Sequence, residues 1–123
     1  MTWTLLNSKS FQALPYAAAK ALPYFFGKVK MPHNNPEKYS ADFHFSYPEA
    51  KGYGFPSATF AKVIKMLIAF GFIDPIEKGG LRGYRTGYNV FRLSRRWEKF
   101  GTNDFETMDW ETFMPKVKGN FKK

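Results

Sequence analysis

Residues 47–76 read YPEAKGYGFPSATFAKVIKMLIAFGFIDPI, and the reading of this stretch decides the fold. Pro56 and Ser57 open a helix within it, and Gly71 closes that helix. Phe60, Ile64, Leu67 and Ile68 recur at helical spacing with Val63 beside them, giving residues 55–70 one apolar face. Ala58, Lys62, Lys65 and Ala69 share the opposite face, which is basic and carries small residues. Upstream, Ser46 and Glu49 have capping-box spacing and predict a short helix over 47–51 that stops at Gly52 or Gly54. Downstream, Phe72, Ile73 and Ile76 read as a strand, and Pro75 marks it as an edge strand or a bulge.

Working outward, Gly79, Gly80, Gly83 and Gly87 make a loop, and residues 89–93 return as a strand around Val90 and Phe91. Strand, glycine-rich loop and strand together predict a hairpin. Residues 43–45 alternate as a short strand, after a loop over 30–42 that contains Pro32, Asn34, Asn35 and Pro36. Before that, residues 11–29 read as one long helix with Pro15 in its first turn and a buried stripe of Leu14, Ala18, Leu22 and Phe25. Pro23 should kink that helix or split it between Ala19 and Leu22. Residues 94–101 predict a terminal helical turn with Trp97 and Phe100 packing back. The expected class is α+β, with one domain over 1–101 and a C-terminal extension over 102–123. That extension begins acidic (Asp104, Glu106, Asp109, Glu111) and ends basic (Lys116, Lys118, Lys122, Lys123). Met108, Trp110 and Phe113 fit a short amphipathic helix in it poorly; it either docks on the domain or engages a partner, such as a second copy of the chain.

The 123 residues suit a single domain, and a hydrophobic share of 44% supplies a core. A formal charge of +9 attracts polyanions: nucleic acid first, an anionic membrane surface second. With no cysteine, disulfides, thiolate zinc sites and cysteine nucleophiles are excluded. The first residues lack the basic flank and long apolar core of a signal peptide, and the longest apolar run, 66–70, is far too short to span a bilayer. The expectation is a cytoplasmic protein with no membrane partner.

The charge is concentrated between Leu81 and Gly101, where Arg82, Arg85, Arg92, Arg95, Arg96 and Lys99 face only Glu98. A basic glycine-rich hairpin beside a helix with exposed lysines suits duplex DNA. The helix fits the major groove, and the loop reaches the backbone or the adjacent minor groove. N–H groups at Ser57, Ala58 and Thr59 sit where a helix start can meet a phosphate. Each feature also has a plainer reading. Lys62 and Lys65 can be merely a solvated face, Ser57 and Thr59 merely caps, and residues 79–87 merely a turn. Tyr84 and Tyr88 staple the loop or touch DNA. Arg92, Arg95, Arg96 and Lys99 either contact DNA or pair with Glu98 and the acidic tail. Arg82 and Arg85 read better as ligands, because a glycine-rich loop offers them few acidic partners. GGLRG lacks the glycine spacing and the Lys-Ser/Thr step of a phosphate loop. His33 and His44 are the only histidines, and no nucleophile stands beside a base. The expectation is a protein that is not an enzyme and uses no metal or cofactor.

Residues 11–101 resemble the winged helix-turn-helix proteins of bacterial, phage and plasmid mobile elements, which include replication initiators and transcriptional regulators. The resemblance rests on the 47–76 stretch, with its junction at Leu67, Gly71, Phe72 and Ile73. It extends to GGLRGYRTGYNVFRLSRRWEKFG, which looks like a wing and its closing strand, ending at Leu93, Ser94 and Trp97. It implies a three-helix core with a β-hairpin wing that binds double-stranded DNA. By the same resemblance, Ser57, Ala58, Thr59, Lys62 and Lys65 supply base or phosphate contacts, and Arg82 and Arg85 supply wing contacts. A rival reading is a winged protein-interaction module that uses the basic face and the apolar tail as its anchor.

Overall fold

In a computed structural model of the chain, residues 2–32, 34–78 and 89–113 are described. The chain starts with three consecutive helices: α1 (Trp3–Leu6), α2 (Lys9–Ala13) and α3 (Tyr16–Phe26). Thr2 caps α1 and Ser8 caps α2, each through a side-chain oxygen that accepts from a backbone N–H three residues on. The single helix expected over 11–29 is therefore divided, and the break lies at Leu14–Pro15. Leu14 is extended (φ −68°, ψ 139°), because a following proline ring disfavours helical backbone at the preceding residue. Pro15 then serves as the N-cap of α3. The split expected near Pro23 does not occur, and α3 runs through it. Burial explains this: Ala18, Leu22 and Phe25 are 1%, 0% and 0% exposed, and a break would pull that stripe out of register. Leu14 is buried with them.

A 3₁₀ turn at Pro36–Tyr39 leads into β1 (Phe43–His44). Ser46 and Glu49 form both hydrogen bonds of the capping box at the start of α4 (Tyr47–Gly52). After a four-residue turn comes α5 (Ser57–Ala69), then β2 (Ile73–Glu77) and β3 (Val90–Leu93), and a second 3₁₀ turn at Arg96–Lys99. The sheet is antiparallel in the order β1-β3-β2. Phe43 and Pro75 flank Phe91 on either side, and the register slips between Pro75 and Glu77. Pro75 thus sits on an edge strand beside a bulge, where its missing N–H costs no ladder bond. The architecture is α+β: several helices and a three-stranded antiparallel sheet.

Aromatic rings fill the centre. Phe25 lies 4.7 Å from Phe45, 5.9 Å from Phe91 and 6.0 Å from Phe60, centroid to centroid. Val63, Ile64, Leu67 and Ile68 of α5 are buried around it. The extension also joins this core. Trp110 is buried, its ring 5.7 Å from Phe91 and 6.1 Å from Phe113. The described part of the extension contains no helix, so the amphipathic helix considered for it is not there. Lys78 instead holds an irregular chain, donating to the carbonyls of Trp110 and Glu111. No helix among the described residues is long and apolar enough to cross a membrane.

Two features make testable demands on stability. Gly71 ends α5 at φ +90°, and a Cβ there would stand 2.6 Å from the Trp97 nitrogen and 2.9 Å from the Arg96 carbonyl carbon. Both are backbone atoms and cannot swing aside. Gly71→Ala should therefore cost about 1–2 kcal/mol for the left-handed backbone, and about 1–3 kcal/mol more for the overlap. A urea melt with an unchanged midpoint would refute this. The second feature is Glu49. Burial pushes its carboxyl up, but hydrogen bonds from Lys28 and Ser46 and the Lys28 charge outweigh that and hold it below the ordinary value of 4.5. A carboxylate lowered in the folded state stabilises fully above its unfolded pKa and loses that contribution as pH falls through the folded one. Acid titration of thermal stability from pH 6 downwards should thus show a loss beginning near pH 4.5, and Glu49→Gln should flatten that part of the curve.

Candidate nucleic-acid interface

The outward face of α5 follows from its sequence. Phe60, Val63, Ile64, Leu67 and Ile68 turn inward, and the residues between them are left outside. Ser57, Ala58 and Lys62 are exposed, while Thr59 and Lys65 are half-buried. Helix α5 contains no acidic residue. Its N-cap is Pro56, and no side chain caps it. Ser57 and Thr59 therefore do not serve as the caps that the plainer reading made them, and the first-turn N–H groups lack a side-chain acceptor. Five of the expected contact residues are thus carried on one helix. Lys65 is the one already engaged, donating to Glu111 of the extension at 3.1 Å.

Arg82 and Arg85, with Tyr84 and Tyr88, lie outside the described residues. They fall in the sequence between the paired strands β2 and β3.

The arginines that follow have partners within the fold. Arg92 pairs with Asp42, and Arg95 pairs with Glu98 at 2.6 Å while lying over the Tyr39 ring. Glu98 holds Arg95's guanidinium even more firmly protonated than usual. Arg96 is the most enclosed, with a side chain only 9% exposed. It donates to Asp74 at 2.7 Å, to the carbonyls of Ile68 and Ile73 at 2.9 Å, and to that of Glu106 at 2.8 Å. It thereby ties the end of α5, the start of β2 and the extension together. Of the partners foreseen for these arginines, Glu98 is used and the acidic side chains of the tail are not. Asp42 and Asp74 lie 50 and 22 residues away in sequence, and local charge counting does not find them.

Several surface residues carry no signal in the sequence beyond their type. Lys51 near the end of α4, and Tyr53 and Gly54 in the turn that leads into α5, are exposed. Tyr53 stacks on Tyr24 of α3 at 4.4 Å. A cleft of about 660 Å³ lies elsewhere, lined in part by Trp3, Lys9, Trp97 and Phe100, and no residue of α5 borders it. Among the described residues, no three His, Cys, Asp or Glu side chains are grouped to hold a metal ion. No family model, curated protein or solved structure significantly matches the chain.

The role assigned to Arg96 is testable by substitution. Arg96→Ala strands Asp74 and leaves the Ile68 and Ile73 carbonyls without this donor. It should destabilise the fold by about 3 kcal/mol, the lower end of what breaking a buried ion pair costs. Arg96→Lys should not rescue it, because an ammonium cannot reproduce the guanidinium fork. A melting temperature within a degree of wild type for Arg96→Ala would make Arg96 an ordinary surface cation.

Proposed function

We propose that the chain is a winged helix-turn-helix module that binds double-stranded DNA, with α5 in the major groove and the 79–88 loop as its wing. The observation that carries this reading is the pairing of topology with surface chemistry. Helices α4 and α5 are joined by a four-residue turn containing Gly54, the connection expected of a helix-turn-helix pair. The order α3, β1, α4, α5, β2, β3, with a sheet of order β1-β3-β2, backs that pair with a hairpin. The second helix of the pair then presents Ser57, Ala58, Thr59 and Lys62 outward, with no acid among them. A helix of this width fits the major groove, and its open N-terminal turn suits a phosphate.

In this reading Ser57, Thr59 and the first-turn N–H groups anchor the backbone. Ala58 permits close approach, and Lys62 reaches base edges or phosphates. Arg82 and Arg85 neutralise phosphates from the wing. The resemblance to mobile-element proteins suggests a regulator of transcription or a factor in replication. The rival reading, a protein-interaction module anchored by its apolar tail, is weakened because Trp110 is spent inside the domain.

Duplex affinity measured across a salt series tests the proposal. The Arg82/Arg85 double alanine variant should weaken binding to all duplexes about equally. It should also lower the slope of log affinity against log salt by roughly one unit for each phosphate no longer neutralised. Lys62→Ala should cost about 1–3 kcal/mol on a preferred site obtained by selection, and relax choice at one position. An unchanged salt slope and unchanged affinity in the double variant would remove the wing from the interface.

A further inference from the structure

Four large hydrophobic side chains stand exposed among the described residues, and three of them share one face. Tyr16 is 93% exposed, Tyr53 45% and Tyr24 38%. Tyr16, Lys20 and Tyr24 follow one another at intervals of four along α3, so they form a stripe about 12 Å long on one side of the helix. Tyr53 extends the stripe across to the α4–α5 turn, with its ring stacked on Tyr24 at 4.4 Å and 22°. Lys51 stands exposed two residues before it.

We propose that this face, Tyr16, Lys20, Tyr24 and Tyr53, is a stacking platform for single-stranded DNA. The inference goes beyond duplex recognition by α5 and stands without it.

Three observations favour this occupant. First, the Tyr24 and Tyr53 rings are held in place. Tyr24 meets Phe55 edge-on at 6.1 Å, and Tyr53 meets Phe45 edge-on at 6.0 Å. Rings already fixed lose little rotamer freedom when a ligand covers them. Second, the stripe is cationic. Lys20 lies between the two tyrosines along α3, and its amino group sits over the Phe55 ring at 5.4 Å, the ring that meets Tyr24. Glu49, the one acid on α4, is occupied by Lys28 and by the capping box. Third, a lysine in the middle of an aromatic patch suits a phosphate better than a protein, because lysine is depleted at the centre of protein interfaces. An exposed aromatic face stacks only with a base whose own face is free. Bases inside a duplex are already stacked, and those of a single strand are not.

Fluorescence anisotropy of the full chain with a labelled thymidine homopolymer, and separately with a labelled duplex, tests this. Tyr16 is 93% exposed, so Tyr16→Ala separates stacking from stability. It should weaken homopolymer binding by roughly 5-fold to 100-fold, as loss of one stacked base does, with duplex binding unchanged. Tyr16→Trp should restore or tighten binding. Tyr53→Ala, with its fold checked by thermal melting, should act like Tyr16→Ala. Lys20→Ala should lower the salt slope on the single strand by roughly 0.7. Lys62→Ala should weaken duplex binding alone, so failure of either surface is read separately. The proposal is overturned if the wild type does not bind the homopolymer, or if Tyr16→Ala and Tyr53→Ala bind it as wild type does. It is equally overturned if both variants weaken single strand and duplex alike. Self-association of the wild type that Tyr16→Ala abolishes, with no homopolymer binding, would make the face a contact between protein copies instead.

Discussion

The Phe25 ring is the contact on which the other elements depend. It touches Phe43 of β1, Phe45 beyond that strand, Phe60 of α5 and Phe91 of β3. A single side chain from α3 thus meets both helical and sheet layers, and all but one of its partners are fully buried. Each ring buries a large apolar area, and edge-to-face packing adds a preference for particular angles. That preference gives the small domain a defined centre. The inward face of α5 is fixed by Phe60 on Phe25, and its outward face follows from helical geometry. The orientation of Ser57, Ala58 and Lys62 is therefore a consequence of the aromatic core.

A second constraint operates at the far end of α5. Gly71 lets the chain reverse tightly enough for its own carbonyl to accept from the Trp97 N–H, and for Phe72 to stack on the Trp97 ring. Arg96 enters the same corner and bonds to carbonyls from α5, β2 and the extension. The charge of this enclosed arginine meets backbone carbonyls as well as Asp74. Among the described residues, the basic side chains left outside include the helix lysines Lys20, Lys51 and Lys62. The extension bears on this as well. Its Glu111 neutralises Lys65, and its carbonyls occupy Lys78, so the basic face of α5 is most open at its N-terminal half.

Elements with local signals are legible from the amino-acid order alone. The capping box at Ser46 and Glu49, the apolar face of α5, the glycine at its end and the edge strand with Pro75 each depend on residues within a turn or two of one another. The buried stripe on α3 is legible for the same reason, and with it the α+β class. The exposed face of α5 comes as the complement of its buried one. Packing between elements settles the rest. The break at Leu14–Pro15, in place of one at Pro23, depends on which side of the stripe can stay buried. The described part of the extension, whose helical pattern is poor, is held by Trp110 on Phe91 and by Lys78 after β2, partners far away along the chain. The ion pairs of Arg92 and Arg96, and the union of Tyr24 with Tyr53, likewise need separate elements to meet. Periodicity reports which side of an element is apolar; only the assembled core decides which other side that face will meet, and therefore which charges are consumed within the fold and which remain on its surface.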